Sequence, residues 1–239
     1  MSRHTLGAFA ELANAKAVLC DKVPAGLSLA QAGVFRGGAY TTAYHALLQR
    51  GRLKQGEWVL VHGAAGGIGI AAIQVAKTFG ARVIATAGSE AKRAACPEEG
   101  ADHAIDYRSG FVDQVKELTG GRGVDIVYDP IGDKMAEESL RCLVWCGRLL
   151  ILGFLGGGPT NIRSNSLLIK GIEAIGVRLG GLIEADPGLA IANMKALVAL
   201  AEQGKLRPRI SHTFRLDQAA EALRLVIDRA VIGKAVLLS

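Results

Sequence analysis

Residues Trp58 to Ala87 read WVLVHGAAGGIGIAAIQVAKTFGARVIATA, and this stretch decides the fold. It begins with a short apolar run that favours a strand, Trp58 to His62, and a glycine-rich segment, Gly63 to Gly69, follows at once. A run rich in Ala, Ile and Val ends at Phe79-Gly80, and Arg82 to Thr86 is again typical of a strand. The stretch therefore predicts a strand, a glycine turn, a helix and a second strand.

The glycine turn is suited to holding a phosphate. Backbone N–H groups are free at the amino end of a helix, and the helix dipole favours negative charge there. A Cβ atom in the turn would block the close approach of a pyrophosphate, which explains the use of glycine. Methyltransferases and many other doubly wound proteins share such turns, so the turn alone indicates a nucleotide and not one particular ligand. A tight turn without any ligand is the remaining alternative.

The composition fits helices layered on a parallel sheet. The chain has 239 residues, of which 50% are hydrophobic and 5% aromatic, with 31 glycines, and its mean hydropathy is +0.27. An aliphatic core of this kind suits strands covered on both faces. The formal net charge is +6, but the basic residues are scattered, so nucleic-acid binding is the weaker interpretation. No apolar run approaches the roughly 18 residues of a membrane helix.

The cysteines and histidines show no metal-ligand spacing. Cys142 and Cys146 lie one helical turn apart, with no cluster of His or Cys beside them. We therefore expect both to pack in the protein and not to bind a metal. The four cysteines, in a chain whose first residues do not resemble a signal peptide, favour reduced thiols and a cytoplasmic location.

The rest of the chain alternates strand and helix patterns. Further strands are predicted at 103–106, 124–128, 148–152, 173–177, 208–214 and 234–238. Helices are predicted at 28–32, 42–50, 90–96, 111–118, 134–143, 187–203 and 216–229, with a short one ending at 167–170. Ser28 is a candidate N-cap, as is Thr41 or Thr42, and Pro97 should end its helix. This alternation predicts an α/β fold, a doubly wound parallel (Rossmann) sheet with right-handed crossovers.

The residues after the second strand favour NADPH over NADH. An acidic residue at this position binds the ribose hydroxyls of NAD, but this chain has Ala87-Gly88-Ser89, followed by Lys92-Arg93. The small residues leave room for a phosphate on the ribose, to which Ser89 can donate a hydrogen bond and Lys92 can supply charge. Tyr107-Arg108, just past the third strand, would lie beside the same pocket. The alternative is that Lys92 and Arg93 are part of a solvated helix face.

The chain as a whole resembles a known family, the medium-chain dehydrogenase/reductase superfamily. Within that superfamily it resembles the zinc-free NADPH:quinone oxidoreductases of the zeta-crystallin type. The matching segments run nearly from end to end and are GAFAEL, TTAYHALLQRGRLKQGEWVLVHGAAGGIG, ATAGSEAKRA, GADHAIDYR, LTGGRGVDIVYDPIG, SLRCLVWCGRLLILGF, GKLRPRISHTF and IGKAVLL. The resemblance implies the strand order 3-2-1-4-5-6 and a homodimer formed through the sheet edges. It also implies hydride transfer from NADPH to a small quinone or activated enone, without a metal ion.

The resemblance also implies roles for individual residues. The pyrophosphate would be held by Ala65, Gly66, Gly67 and Ile68. The 2′-phosphate side would be held by Gly88, Ser89, Lys92 and Tyr107. The nicotinamide side would be lined by Thr42, Pro130, Gly132, Gly153 and Phe154, with Lys234 closing the site. For Thr42 a helix cap, and for Phe154 core packing, are the alternatives. No catalytic residue is assigned, since the proton donor could be water, a ribose hydroxyl or another domain.

Proteins of this type carry a GroES-like domain before the cofactor domain, and Gly7 to Cys20 resembles the end of that domain. The predicted division is therefore a remnant and linker over 1–33, the Rossmann domain over 34–180, and C-terminal helices and strands over 181–239 that complete both. We expect most of the GroES-like domain to be absent. Two further functions stay open for that reason, a non-catalytic NADPH-binding protein and an enoyl-thioester reductase.

Overall fold

The centre of the molecule is a six-stranded sheet. The computed structural model describes residues 9–12, 14 and 20–238. The strands are β1 Trp58–Val61, β2 Arg82–Thr86, β3 His103–Ile105, β4 Val124–Asp129, β5 Leu143–Ile151 and β6 Glu173–Gly176. Their order is β3-β2-β1-β4-β5-β6, and each neighbouring pair is parallel. The predicted doubly wound α/β fold and its strand order are thus confirmed.

Helices connect the strands and cover the sheet. They are α1 Leu29–Arg36, α2 Ala39–Tyr44, α3 Gly67–Thr78, α4 Glu90–Glu98, α5 Phe111–Leu118, α6 Asp133–Ser139, α7 Ser164–Lys170, α8 Leu179–Ala185, α9 Pro187–Glu202 and α10 Ala219–Ile227. A π-helical segment, His45–Arg50, continues α2. Among the described residues, no helix combines the length and the apolar character that crossing a membrane requires.

The sheet is buried on both faces, as a parallel sheet of this class should be. Along β1, Val59 and Val61 belong to one apolar cluster with Ile73 of α3. Leu60 points to the other face, where it belongs to a cluster with Phe111 of α5. All five of these side chains are at most 1% exposed. Alternate residues of one strand therefore fill two separate cores, which explains the unbroken apolar run in the sequence.

A second, smaller sheet lies near the end of the chain. It consists of β7 Ile210–Arg215 and β8 Lys234–Leu238, which pair in parallel, with α10 between them in sequence. A single bridge between Gly66 and Gly233 links this part to the turn after β1. The domain boundaries expected after residues 33 and 180 stay predictions. The homodimer also stays a prediction, and β3 and β6 are the edge strands of the described sheet.

Several predicted helix boundaries were wrong. Pro97 does not end its helix, because α4 continues to Glu98. A proline in the last turn removes only one helical hydrogen bond, and the amide of Glu99 still donates to the carbonyl of Cys96 at 3.1 Å. Neither Thr41 nor Thr42 is a cap, since both lie inside α2, which begins after Gly38 at φ +91°. Ser28 does cap α1, where its hydroxyl accepts a hydrogen bond from the amide of Gln31.

The region around the two cysteines also differs from expectation. The helix predicted over 134–143 ends at Ser139, and β5 begins at Leu143 instead of residue 148. Cys142 is buried, but Cys146 is exposed and has φ +56° within β5. The two cysteines are therefore not neighbours on one helix, and the packing expected for both holds only for Cys142. The helix α8 was not predicted at all, because Gly180 and Gly181 interrupt its pattern.

Candidate functional site

Most of the predicted site residues gather at the carboxyl ends of the strands. The glycine turn follows β1, Gly88 follows β2, and Tyr107 follows β3. Pro130 and Gly132 follow β4, and Gly153 and Phe154 follow β5. The strand order reverses between β1 and β4. In a doubly wound sheet, ligands bind at this end and at this point of reversal.

The glycine turn is packed so closely that side chains are excluded from it. A Cβ atom on Gly69 would lie 2.5 Å from the Cα atom and 2.6 Å from the carbonyl oxygen of Ala64. Gly66 precedes α3, and no side chain caps that helix. The first amides of a helix have no partner within it. The turn therefore leaves backbone donors available to an anion at the amino end of α3.

Two predicted residues from distant parts of the chain meet at this turn. The side chain of Lys234 crosses over Gly67 so closely that a Cβ atom on Gly67 would overlap its Cε atom. The amide of Gly233 donates a hydrogen bond to the carbonyl of Ala65 at 2.8 Å. Lys234 is itself exposed. The structure thus places a cationic side chain beside the amino end of α3.

The structure brings together Gly88, Ser89 and Tyr107, three of the residues predicted for the 2′-phosphate side. The Tyr107 hydroxyl lies 2.9 Å from the position that a Cβ atom on Gly88 would take, so the ring lies directly on this glycine. The ring is 37% exposed. Ser89 caps α4, where its hydroxyl accepts a hydrogen bond from the amide of Lys92 at 3.4 Å. These polar groups lie close together, and their role in holding a 2′-phosphate stays a prediction.

The cations at this pocket already have partners that sequence reasoning missed. The Lys92 ammonium donates a hydrogen bond to the carbonyl of Arg229. Arg93 and Arg108 both contact the carboxylate of Asp106, at 2.8 and 2.7 Å. Hydrogen bonds from Arg108 hold the pKa of this carboxyl well below its usual range. Asp106 could have been included among the candidate residues because it directly precedes Tyr107 in the sequence. No local sequence pattern could have indicated that Arg229 contacts Lys92.

A tight turn after β4 forms a wall on the side of the site that is predicted to hold the nicotinamide. Asp129 is fully buried, and its carboxylate accepts hydrogen bonds from the amides of Ile131 at 2.8 Å and Gly132 at 3.1 Å. Burial raises the pKa of Asp129. Gly132 has φ +74°, and a Cβ atom there would lie 2.9 Å from the Phe154 ring. Only glycine fits this backbone and this contact.

Phe154 and its neighbours line that wall without entering the core. The Pro130 carbonyl accepts a hydrogen bond from the Leu155 amide at 3.2 Å. A Cβ atom on Gly153 would lie 3.3 Å from the same carbonyl oxygen. Phe154 is 52% exposed, so its ring is free to contact a ligand. Thr42 stands apart: it is half-buried in α2, and its side chain makes no hydrogen bond to the other predicted residues in the described part of the chain.

A buried histidine, His62, lies between the end of β1 and the glycine turn. In His62, which is fully buried, Nδ1 lies 2.9 Å from the Thr86 hydroxyl and Nε2 lies 2.7 Å from the Ser139 hydroxyl. Ser139 gives its proton to the carbonyl of Met135, so its oxygen accepts from Nε2–H, and Nδ1 accepts from Thr86. Burial lowers the pKa of His62 to about 3. The neutral ring, directly after β1, thus joins that strand to β2 and α6.

This histidine predicts a pH dependence of stability. Its folded pKa is about 3, below the unfolded value of about 6.5. The unfolded chain therefore binds more protons between these values, and the free energy of unfolding should fall by about 1.4 kcal/mol per pH unit below pH 6.5. Urea unfolding at pH 7 and pH 5 measures this slope. His62→Asn should reduce it, whereas His212→Asn should not; equal slopes in His62→Asn and the unchanged protein would contradict the assignment.

The described residues do not form a metal site. No three His, Cys, Asp or Glu side chains in this part of the chain lie together in a way that could hold a metal ion. Cys96 and Cys142 are buried, and burial raises the pKa of both thiols, that of Cys96 to about 11 and that of Cys142 to about 12. Neutral thiols are poor metal ligands and poor nucleophiles.

A family model described as zinc-binding dehydrogenase matches residues 67–200, more than half of the chain. The chain belongs to the zinc-binding dehydrogenase family. Within the medium-chain dehydrogenase/reductase superfamily it is of the quinone oxidoreductase type, which confirms the resemblance. The zinc in the family's description has no counterpart among the described residues, which offer no ligand set for it.

Individual proteins are similar to this chain over most of its length. Quinone oxidoreductase-like protein 2 of Rattus norvegicus is 37% identical over 218 residues, covering 90% of this chain and 62% of the relative. Quinone oxidoreductase of Sus scrofa is 34% identical, covering 97% and 69%. The crystal structure of Escherichia coli quinone oxidoreductase complexed with NADPH has a TM-score of 0.80 and 30% identity, covering 91% and 67%. The chain thus spans 62% of the length of the rat relative.

Proposed function

We propose that this chain binds NADPH and acts in metal-independent hydride transfer from NADPH to a quinone or an activated enone. One observation carries the proposal. The amino end of α3, the contact between Gly88 and Tyr107, and the contact between Gly132 and Phe154 all follow the carboxyl ends of strands of the same parallel sheet. The name of the Escherichia coli relative, quinone oxidoreductase complexed with NADPH, supports the same cofactor and acceptor.

The amino end of α3 would hold the pyrophosphate. The amides of Gly67 and Ile68 lie in its first turn, where backbone donors and the helix dipole favour an anion. The Lys234 side chain already lies over Gly67, so only its flexible end has to move for a phosphate to approach. Its ammonium then pairs with the phosphate from the opposite side.

The pocket at Gly88 would hold the 2′-phosphate. Ser89 and Tyr107 supply hydroxyl donors, and Lys92 supplies a positive charge that now contacts a neutral carbonyl, that of Arg229. Exchange of this carbonyl for a phosphate oxygen replaces a charge–dipole contact by a charge–charge contact. Arg93 and Arg108 both pair with the Asp106 carboxylate, so this carboxylate is engaged within the protein and is not free to bind the ribose hydroxyls that an NADH site uses.

NADPH, when bound, supplies the hydride, and this chain's own residues orient the carrier and exclude water. Gly132 and Gly153 give the nicotinamide side a flat backbone wall, on which Phe154 provides an apolar surface. A wall of this kind keeps water away from the reacting atoms. Thr42 is proposed as a further contact on this side. The proposal assigns no proton donor among the described residues.

A second candidate is a non-catalytic NADPH-binding protein. It is favoured by one observation, that this chain spans 62% of the length of the rat relative. Both proposals include the cofactor site. They differ in whether this chain can enclose an acceptor. A homodimer formed through a sheet edge, which rests on the family resemblance, and a cytoplasmic location, which rests on the cysteine content, belong to the first proposal.

Binding and turnover experiments test these proposals. NADPH and NADH are titrated against the protein by fluorescence, and NADPH oxidation is then followed with 1,4-benzoquinone, a short enone and an enoyl thioester. We expect NADPH to bind at least about tenfold more tightly than NADH, since the 2′-phosphate gains a charge-assisted contact, and oxidation to be fastest with the quinone or the enone. Tight binding without oxidation would favour the non-catalytic protein, and a faster thioester would favour an enoyl-thioester reductase. Equal affinity for the two cofactors would contradict the pocket assignment.

A further inference from the structure

A cavity of about 540 Å³ opens at the ends of α5, α6 and α7, and Lys116, Arg141 and Lys170 line it. The helices of a doubly wound sheet run antiparallel to the strands, so the ends of α5 and α6 lie near the amino ends of β4 and β5. The cofactor residues lie at the carboxyl ends of the same strands. This cavity is therefore distinct from the proposed NADPH site.

The charge in the cavity is unbalanced. Four cationic side chains line it, Lys116, Arg141, Arg163 and Lys170, but only one carboxylate, Glu137. Other arginines of the same layers have acidic partners, as Arg122 has in Asp125. Among the described residues, none of these four cations forms an ion pair with a carboxylate. Unpaired cations that converge in a concave site attract anions.

Lys170 differs from the other three cations because its ammonium group is already hydrogen-bonded within the protein. Its ammonium donates to three carbonyl oxygens, those of Leu140 at 3.4 Å, Arg141 at 3.3 Å and Leu143 at 3.0 Å. Its three protons are therefore used in joining α7 to the end of α6. Burial and the nearby Lys116 charge lower the pKa of Lys170. Lys170 thus contributes charge to the cavity, while Lys116 and the two arginines keep their donors for a ligand.

We propose that this cavity binds a small phosphorylated metabolite, with Arg141 and Arg163 on its phosphoryl oxygens and Lys116 beside them. Guanidinium groups match phosphoryl oxygens with two parallel hydrogen bonds. Asn161 and Ser166 add neutral donors at the same wall. The volume of about 540 Å³ is typical of small-molecule pockets and exceeds what a single phosphate ion needs.

The shape of the site favours a small molecule over a nucleic acid. A nucleic-acid site presents cations along a stripe or one face, with aromatic side chains for the bases. Here the cations gather around one cavity, and no aromatic side chain is among the residues that line it. The ligand class is therefore an organic phosphate with more than one anionic oxygen, and not a polymer.

Titration calorimetry with pyrophosphate as the probe tests this site, at low ionic strength to limit screening and with NADPH in excess to fill the cofactor site. We expect binding to the unchanged protein, and a loss of at least about 30-fold in affinity in the double variant Arg141→Glu/Arg163→Glu, since both charge-assisted contacts are reversed. Arg224→Glu makes the same kind of charge change on α10, outside the cavity, and should bind pyrophosphate as the unchanged protein does.

Three outcomes would overturn the proposal. They are no pyrophosphate binding by the unchanged protein, equal binding by the double variant, and binding of an RNA oligonucleotide or an acidic peptide in place of pyrophosphate. The thermal midpoint of the double variant establishes that it is folded. If that variant does not fold, Arg141→Gln/Arg163→Gln repeats the test with a smaller change in charge. Because NADPH affinity is measured separately, failure of this site does not bear on the proposed cofactor site.

Discussion

Lys92→Glu is expected to weaken NADPH binding by about 100-fold and to leave NADH binding within about twofold. Loss of a charge-assisted hydrogen bond costs about 1.5–3 kcal/mol, and a carboxylate at this position also repels the 2′-phosphate. The ammonium of Lys92 contacts only the Arg229 carbonyl in the described structure, so no ion pair within the protein is broken by the substitution. Fluorescence titration of both cofactors gives the two dissociation constants directly.

A matched control separates a local effect from one of net charge. Lys195 is an exposed lysine of α9 with no carboxylate partner among the described residues, and Lys195→Glu changes the net charge by the same amount. It should leave the affinity for both cofactors within about twofold, because distant exposed charges are screened. Equal losses of NADPH and NADH affinity in Lys92→Glu would show that Lys92 does not distinguish the 2′-phosphate.

Gly69→Ala is expected to lower the free energy of unfolding by about 3 kcal/mol and to abolish tight NADPH binding. The added methyl group would lie 2.5 Å from the Cα atom of Ala64 and 2.6 Å from its carbonyl oxygen. Both are backbone atoms, so no side-chain rotation relieves the contact. The glycine turn has to move, and its amides no longer point to one phosphate position. Urea unfolding and cofactor titration measure the two effects.

Gly33→Ala is the matched control for this substitution. Gly33 lies within α1, and a Cβ atom there would meet no atom within 4 Å. Alanine is the better helix former, so this variant should be as stable as the unchanged protein or up to about 1 kcal/mol more stable. If Gly69→Ala unfolded at the same urea concentration as Gly33→Ala, the close packing described for the turn would be wrong.

The parts of the fold that depend on neighbours in sequence could be predicted. The span from Trp58 to Thr86 folds as expected because strand, turn and helix are all specified there by local pattern. The start of β5 was missed because its first residues, Leu143 to Cys146, are apolar and follow a helix without a Gly or Pro between them. Pro97 predicts the end of its helix, but a proline in the last turn removes only one helical hydrogen bond, and α4 continues to Glu98.

The site was predicted less completely, for a different reason. Gly88 and Tyr107 follow neighbouring strands, so the parallel topology alone brings them together. The contact between Lys92 and Arg229 joins positions 137 residues apart, and the one between Ala65 and Gly233 is similarly distant. No periodicity or motif specifies such contacts. They depend on how the small sheet of β7 and β8 packs against the large one.

Those two distant contacts have a thermodynamic consequence. Residues 229–234 touch the turn at the amino end of α3 through Gly233 and Lys234, and they touch the ribose pocket through the carbonyl of Arg229. Both of the proposed phosphate subsites therefore contact one short segment. Lys92 contacts this segment and Lys234 belongs to it, so we expect the free energies of substitutions at these two positions to be coupled instead of additive. If the proposed cofactor site is right, the affinity for NADPH is consequently not a sum of two independent phosphate contacts.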